Sequence, residues 1–344
     1  MRILITGGAG FIGKSLILKL LSSSENLVFN IDKLGYSSSI EPINSFCSKN
    51  DNNNHIFINL DLKNKKQTND VIQDCSPDII FHLAAESHVD RSITSPKEFI
   101  ESNILGTYNL LEASLNYFRK LDYIKKNKFR FLHISTDEVF GSLGENGNFS
   151  EFSPYDPRSP YSASKASSDH LVKAWFHTFK LPVIVSNCSN NYGPWQFPDK
   201  FIPKVICNAL SDEEIPIYGN GLNVRDWLYV EDHVNALILL SKFGRLGESY
   251  CIGGNMEKSN NDVALEICKI LDKRFPNKKP HNKLIRYIND RPGHDKRYSI
   301  NFQKIKTLHH WEPKYDFKKG LKDTINWYIS NFSWVENIYK KESK

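Results

Sequence analysis

Six cysteines, two methionines and no uninterrupted apolar run of membrane-spanning length mark this 344-residue chain by what it has little of. The cysteines stand at 47, 75, 188, 207, 251 and 268, with no C-x-x-C pair and no framework spacing. Zinc ribbons and disulfide-stapled scaffolds are thereby excluded, and reduced thiols in a cytoplasmic protein are expected. A helix needs about 20 apolar residues to cross a bilayer, so no membrane span is predicted. The opening MRILITGG reads as a strand entering a turn, not as a cleavable leader. The eleven histidines contain no H-E-x-x-H and the acids show no calcium-loop order, so no metal is expected. No G-x-S-x-G elbow supports a serine hydrolase, and no internal repeat is present.

One-signed charge is also modest, at a formal +6. Lysines cluster only in short runs such as KNKK (63–66) and KKNK (125–128), with no basic stripe interleaved with aromatics. Nucleic acid is therefore not an expected partner. A small anionic substrate suits a mildly positive field.

What is present is a rhythm of short apolar runs separated by helical patterns. RILIT (2–6), LVFNID (27–32), HIFINLDL (55–62), DIIFHLAA (78–85), FRFLHIS (129–135) and PVIVSN (182–187) read as strands. Helices are predicted after the first strand, from about Pro96 to Tyr117, and from about Ser162 to Phe179. Strands apolar on both faces and separated by helices predict an α/β fold with a doubly wound, Rossmann-like parallel sheet. Beyond Asn190, Pro and Gly break the rhythm. The reading is a sheet domain over residues 1–189, to which segments near 225–255 return. A smaller, interleaved α+β substrate-binding region follows over 190–330, and then a frayed tail from 335 to 344.

TGGAGFIG places Gly7, Gly10 and Gly13 between the first strand and its helix. Such glycines permit a tight turn, close approach to a pyrophosphate and close helix–strand packing. Asp32 ends the second strand, where an acid grips a ribose diol, and its charge favours NAD over NADP; Lys33 stands beside it. Phe11 and Ile12 belong to the same turn. Asp61 and Leu62 are predicted at the adenine edge, and Leu83, Ala84, Ala85 and Ser87 along the cofactor.

YSASK sets Tyr161 and Lys165 one helical turn apart on the same face. A free tyrosine titrates near 10. A lysine ammonium and an oxidised nicotinamide would both favour its phenolate, a base for an alcohol proton. Thr136 is close enough in sequence to the fifth strand's end to share that proton. Immediately after it stand two acids, Asp137 and Glu138.

Together these motifs resemble the extended short-chain dehydrogenase/reductase family. Both acids together, with HLAAESHVDRSI (82–93), SNNYGPWQFPDKFIP (189–203), RDWLYVEDH (225–233) and RPGHDKRY (291–298), resemble its nucleotide-sugar 4,6-dehydratases. The resemblance implies Thr136, Asp137, Glu138, Tyr161 and Lys165 as catalytic residues, with Glu138 a base at sugar C5 and Asp137 an acid at the C6 oxygen. It adds Ser102 and Asn191 to the NAD contacts. It assigns Ser87, Thr136, Asn190, Lys200, Phe201, Pro216, Ile217, Tyr218, Arg225, Asn260, Arg291, His294 and Tyr298 to the substrate. The implied setting is bacterial deoxysugar (rhamnose-type) biosynthesis. The implied assembly is a homodimer through a four-helix bundle built from the helices near 96–117 and 162–179.

The sequence departs from the family at Phe140, where tyrosine is usual, and in LGYSSS (34–39). Trp195, Trp227 and Trp311 read as packing residues. Arg225 read alone has a bland alternative, a surface pair with Asp226 or Glu231. Thymidine and uridine nucleotides differ by a methyl and a hydroxyl, and the whole-chain match favours thymidine. An epimerase or decarboxylase on the same scaffold, or a non-catalytic NAD-binding scaffold, are the other readings. Asp137 argues against the first pair and the retained Tyr161 and Lys165 against the last.

Overall fold

The computed structural model describes residues 1–276 and 280–342. Seven strands form one parallel sheet: β1 (Arg2–Thr6), β2 (Leu27–Asp32), β3 (His55–Asn59), β4 (Ile79–His82), β5 (Arg130–Thr136), β6 (Val183–Cys188) and, later in the chain, Ser249–Ile252. Their spatial order is β3-β2-β1-β4-β5-β6 and then Ser249–Ile252. The chain thus builds outward in one direction from β1 and in the other from β4. A crevice opens at their carboxyl ends, where Thr6 pairs with His82. Burial on both faces explains the β-branched runs: Ile3, Leu4, Ile5, Ile80, Phe131 and Leu132 are all almost fully buried.

Past β6 come β7 (Asn190–Tyr192), β8 (Ile215–Tyr218), β9 (Val224–Tyr229), β10, which is the seventh sheet strand Ser249–Ile252, β11 (Glu257–Ser259) and β12 (Ile285–Ile288). β9 lies between β7 and β11, and β8 pairs with β12. A second core of Ile206, Ile215, Ile267, Leu271, Leu321 and Tyr328 joins helices Phe201–Leu210, Asn260–Arg274 and Phe317–Ser330. Helix Val230–Phe243 instead sends Val234, Leu237 and Leu240 into the first core, beside Ile3 and Leu16.

Several elements differ from the sequence expectation. The third strand stops at Asn59 and the fourth at His82, because Leu60, Leu62 and residues 83–87 turn away from the ladder to wall the crevice. Helices Glu41–Lys49, Lys65–Cys75 and Tyr123–Lys128 lie in polar stretches with no read periodicity. The helix expected over 96–117 contains a π-turn at Ile100–Leu105 and then runs on as Gly106–Lys120. The helix expected from Ser162 begins at Pro160. There Ser159 and Ser162 form a capping box, which fixes Tyr161 in the first turn. The segment expected as a tail is helical over Phe332–Glu342, because Val335 is buried against the second core; residues 343–344 lie outside the described residues.

Candidate active site

A cavity of about 310 Å³ follows the carboxyl ends of the central strands. All the residues assigned above to the cofactor line it: Gly7, Gly10, Phe11, Ile12, Gly13, Asp32, Lys33, Asp61, Leu62, Leu83, Ala84, Ala85, Ser87, Ser102, Tyr161, Lys165 and Asn191. Gly7 has φ +73°, and a Cβ there would lie 2.6 Å from the Ala84 nitrogen, so only glycine fits the turn. Helix Phe11–Leu21 starts at Gly10 with no side-chain cap, leaving its first N–H groups for an anion. Asp32 Oδ2 accepts from Ala9 N (3.0 Å), and Oδ1 accepts from Leu34 N (2.8 Å) and Ser38 Oγ (3.1 Å). The unusual LGYSSS loop therefore still clasps the acid. These donors oppose the burial that raises the Asp32 pKa. Lys33 is committed to Glu86 at 2.7 Å and supplies no free cation for the extra phosphate of NADP. An uncapped helix end, a tight glycine turn and a seated acid at the end of β2 fit NAD.

Asn103, in the π-turn, fixes the opposite wall: its side chain bonds the Glu86 N–H and carbonyl at 2.8 and 3.0 Å. Ser102, in the same π-turn, lines the cavity beside it.

Thr136 closes β5, and the chain then turns into a short 3₁₀ segment, Asp137–Phe140. This places both acids against the cavity that Tyr161 and Lys165 line. Thr136 Oγ1 donates to Asp137 Oδ1 (3.2 Å) and accepts from Glu138 N (3.2 Å). Asp137 is 1% exposed and its Oδ2 has no hydrogen-bond partner. Burial first, then the Glu138 and Asp226 charges, push its pKa well above the carboxylate range. Burial also raises Glu138, but Arg291, Arg225 and Lys200 pull it back. Adjacent acids are thus differentiated: the Glu138 and Asp226 charges add to burial at Asp137, whereas Arg291, Arg225 and Lys200 oppose it at Glu138.

Lys165 Nζ donates to the Ile134 carbonyl at 2.8 Å, tying the helix to β5. Burial lowers its pKa while Asp169 opposes. Burial and then Glu138 raise Tyr161 well above 10, with the Thr136 hydroxyl opposing. The expected depression of the phenol is therefore not met by the protein's own groups; burial and the Glu138 charge exceed the opposing Thr136 side chain.

The expected substrate residues divide. Ser87, Thr136, Asn190 and Lys200 line the cavity, and Lys200 Nζ donates to the Ser87 carbonyl at 2.9 Å. Phe201, Pro216, Ile217, Tyr218, Arg225, Asn260, Arg291, His294 and Tyr298 lie outside its lining. Arg225 is not a surface residue: it is buried, bonds the Val224 and Asp295 carbonyls, and sits 4.3 Å from the Tyr298 ring centroid. Asp90 accepts from Arg291 Nη1 and the Tyr218 hydroxyl, both at 3.0 Å. His294 bonds Asp290 at 2.6 Å. Asn260 opens its helix and donates its N–H to the Asn223 carbonyl. Strand alternation sends Ile217 into the second core, leaving Pro216 and Tyr218 on the open face, and Phe201 stacks on Trp227. The side chains of Ile217 and Phe201 thus serve packing.

Sequence reasoning missed Glu86, Tyr36, Ser38, Gln196 and Phe197, which also line the cavity, and Asp90 and Asp199 behind it. Tyr36 donates to Asp199 at 2.7 Å and meets Phe197 edge-on at 5.3 Å. Glu86 and Asp90 both lie within quoted motifs, but their partners come from distant loops.

The sequence matches the GDP-mannose 4,6 dehydratase family over residues 4–324. The chain belongs to that family. Within reach of it, a dTDP-glucose 4,6-dehydratase of Escherichia coli K12 is 50% identical, covering 98% of this chain and 95% of that protein. The structure of the Bacillus anthracis dTDP-glucose 4,6-dehydratase in complex with NAD superposes with a TM-score of 0.85 at 42% identity, covering 98% of this chain and 99% of that one. That of the Streptomyces venezuelae dTDP-glucose 4,6-dehydratase, also with NAD bound, gives 0.88 at 35% identity, covering 98% and 100%. The family thus spans this whole fold, both the sheet domain and the region beyond Asn190.

Proposed function

We propose that the protein is an NAD-dependent dTDP-glucose 4,6-dehydratase, forming dTDP-4-keto-6-deoxyglucose and water, in deoxysugar biosynthesis. The observation that carries this reading is the pair Asp137 and Glu138, adjacent in sequence, facing one cavity with Tyr161, with acids adding to burial at Asp137 and cations opposing it at Glu138.

Bound in the cavity, NAD supplies the two-electron acceptance at sugar C4 and the return of that hydrogen to C6. Tyr161 takes the C4 hydroxyl proton, and Lys165 and Thr136 hold the phenol and the sugar oxygen in line. The C4 ketone makes the C5 hydrogen acidic, because a carbanion there is an enolate. Glu138, kept ionisable by Arg291, Arg225 and Lys200, removes that proton and later restores it. The C6 hydroxyl leaves as water only when protonated, and Asp137, whose pKa burial raises, is the donor. C5 and C6 are bonded neighbours, so consecutive residues of one turn reach both.

Arg225 and Arg291 supply forked donors for the diphosphate, with Tyr218, Asn260, His294 and Tyr298 around the nucleotide. A homodimer is supported by helix Pro160–Phe179, which leaves Ala163, His170, Ala174 and Phe179 exposed along it, and by exposed Ile100 and Leu105 nearby. Six unpaired cysteines fit a cytoplasmic setting.

The test is parallel incubation of purified protein with dTDP-glucose and UDP-glucose. The reading predicts a 4-keto product lacking the C6 hydroxyl, formed faster from dTDP-glucose and without net NADH. A C4 epimer, or accumulating NADH, would overturn it.

A further inference from the structure

The dehydratase reading, on which this inference rests, neither consumes nor releases a proton overall, yet it does not leave the side chains as it found them. Removing the C4 hydroxyl proton leaves Tyr161 protonated. Glu138 takes a proton from C5 and returns one there, so it ends unchanged. Departure of the C6 oxygen as water takes a proton from Asp137, which ends ionised. Each turnover thus places one proton too many on Tyr161 and one too few on Asp137. A second turnover requires the reverse arrangement.

We propose that Thr136 carries this proton back, its hydroxyl accepting from the Tyr161 phenol as it donates to the Asp137 carboxylate. The Tyr161 O–H bond breaks as a new O–H forms on Thr136 Oγ1, and the original Thr136 proton passes to Asp137 Oδ1. Thr136 ends neutral, Asp137 neutral and Tyr161 a phenolate, so one negative charge has moved and no atom has been gained or lost.

The geometry is already set for it. Thr136 Oγ1 donates to Asp137 Oδ1 at 3.2 Å, Thr136 and Tyr161 line the same cavity, and the Thr136 side chain is near enough to the phenol to oppose the rise of its pKa. The Glu138 N–H also donates to Thr136 Oγ1, at 3.2 Å, which directs the threonine's own proton toward Asp137. Among the described residues no other donor reaches the Asp137 carboxyl. The nearby Cys188 thiol is committed to the Ser135 carbonyl at 3.4 Å. Solvent access is poor: Thr136, Asp137 and Tyr161 are 9%, 1% and 8% exposed. Burial raises the proton affinity of Asp137 above that of an ordinary carboxylate, which favours its reprotonation. Burial and the Glu138 charge raise Tyr161 too, and an oxidised nicotinamide held in the cavity would supply the positive charge that eases loss of the phenol proton.

The experiment compares NAD-loaded wild type, Thr136→Val and Thr136→Ser by rapid quench, and by stopped flow with a pH-indicator dye in weak buffer. Thr136→Val, which also loses the hydroxyl that aligns the sugar oxygen, is expected to slow the first turnover and to slow every later one at least tenfold more. The dye should report proton uptake and release out of phase, and imidazole should accelerate the slow phase. Thr136→Ser, which keeps the hydroxyl, should show no burst and no dye signal, like wild type. If Thr136→Val slows first and later turnovers equally, or slows neither, with a silent dye, the relay is wrong. Wild type that yields no 4-keto-6-deoxy sugar would sink the dehydratase reading itself, a separate outcome.

Discussion

Lys33 Nζ lies 2.7 Å from Glu86 Oε1, joining the loop after β2 to the loop after β4 across the cofactor cavity. Both side chains are partly shielded, so the pair is worth about 0.5–1 kcal/mol. Glu86→Gln should therefore release bound NAD roughly two- to fivefold faster, measured by the cofactor retained after gel filtration at fixed times, with kcat unchanged at saturating NAD.

Asp90 is the common acceptor of Arg291 and Tyr218, and it bonds none of Thr136, Asp137, Glu138, Tyr161 and Lys165. A charge-assisted hydrogen bond contributes about 1.5–3 kcal/mol. Asp90→Ala should leave Arg291 unanchored and raise KM for the nucleotide sugar roughly tenfold or more, with kcat within about twofold. Steady-state kinetics with NAD saturating separates the two parameters.

The parallel sheet was legible because its central strands are mostly apolar on both faces, with only scattered polar positions such as Asn30 and His133 among the runs. The glycine turn, Asp32, the two acids and the Tyr161–Lys165 pair were legible because each is a local motif whose spacing carries its chemistry. What could not be read were partners supplied across space. Glu86 for Lys33, Asp90 for Arg291 and Asp199 for Tyr36 are separated by 53, 201 and 163 residues. The helix Glu41–Lys49 was missed because only Pro42 and Ile43 of it are buried, which leaves no apolar period. The π-turn at Ile100–Leu105 was missed because one added residue leaves the helical pattern on either side intact.

The Asp137 proton has a consequence for stability. Its folded pKa is raised well above an ordinary aspartate, so the folded state holds a proton that the unfolded chain loses above about pH 4. That contribution is fully present below the unfolded pKa and is lost as pH rises toward the folded value. The loss is about 1.4 kcal/mol per pH unit across the window. Asp137→Asn lacks this slope, so its advantage over wild type in urea unfolding should grow from pH 5 to pH 7.

Trp195, at φ +69°, meets Trp327 at 4.5 Å and Trp334 at 5.5 Å, and buried Lys14 lies 5.4 Å and 5.9 Å from the Trp195 and Trp334 rings. Burial lowers the Lys14 pKa to about 8, with Glu41 and Asp32 opposing. The C-terminal helix thereby braces the loop that carries Gln196 and Phe197 into the cavity. Trp334→Ala should cost about 2–3 kcal/mol by denaturant unfolding, with the m-value unchanged.

The division of labour between Asp137 and Glu138 is tested most directly by rapid quench of NAD-loaded Asp137→Asn after mixing with dTDP-glucose. The prediction is that C4 oxidation persists within about tenfold, with reduced cofactor and a 4-keto sugar still bearing its C6 hydroxyl accumulating, while water loss falls by about 10²–10⁴. Oxidation and water loss falling together by the same factor would contradict it.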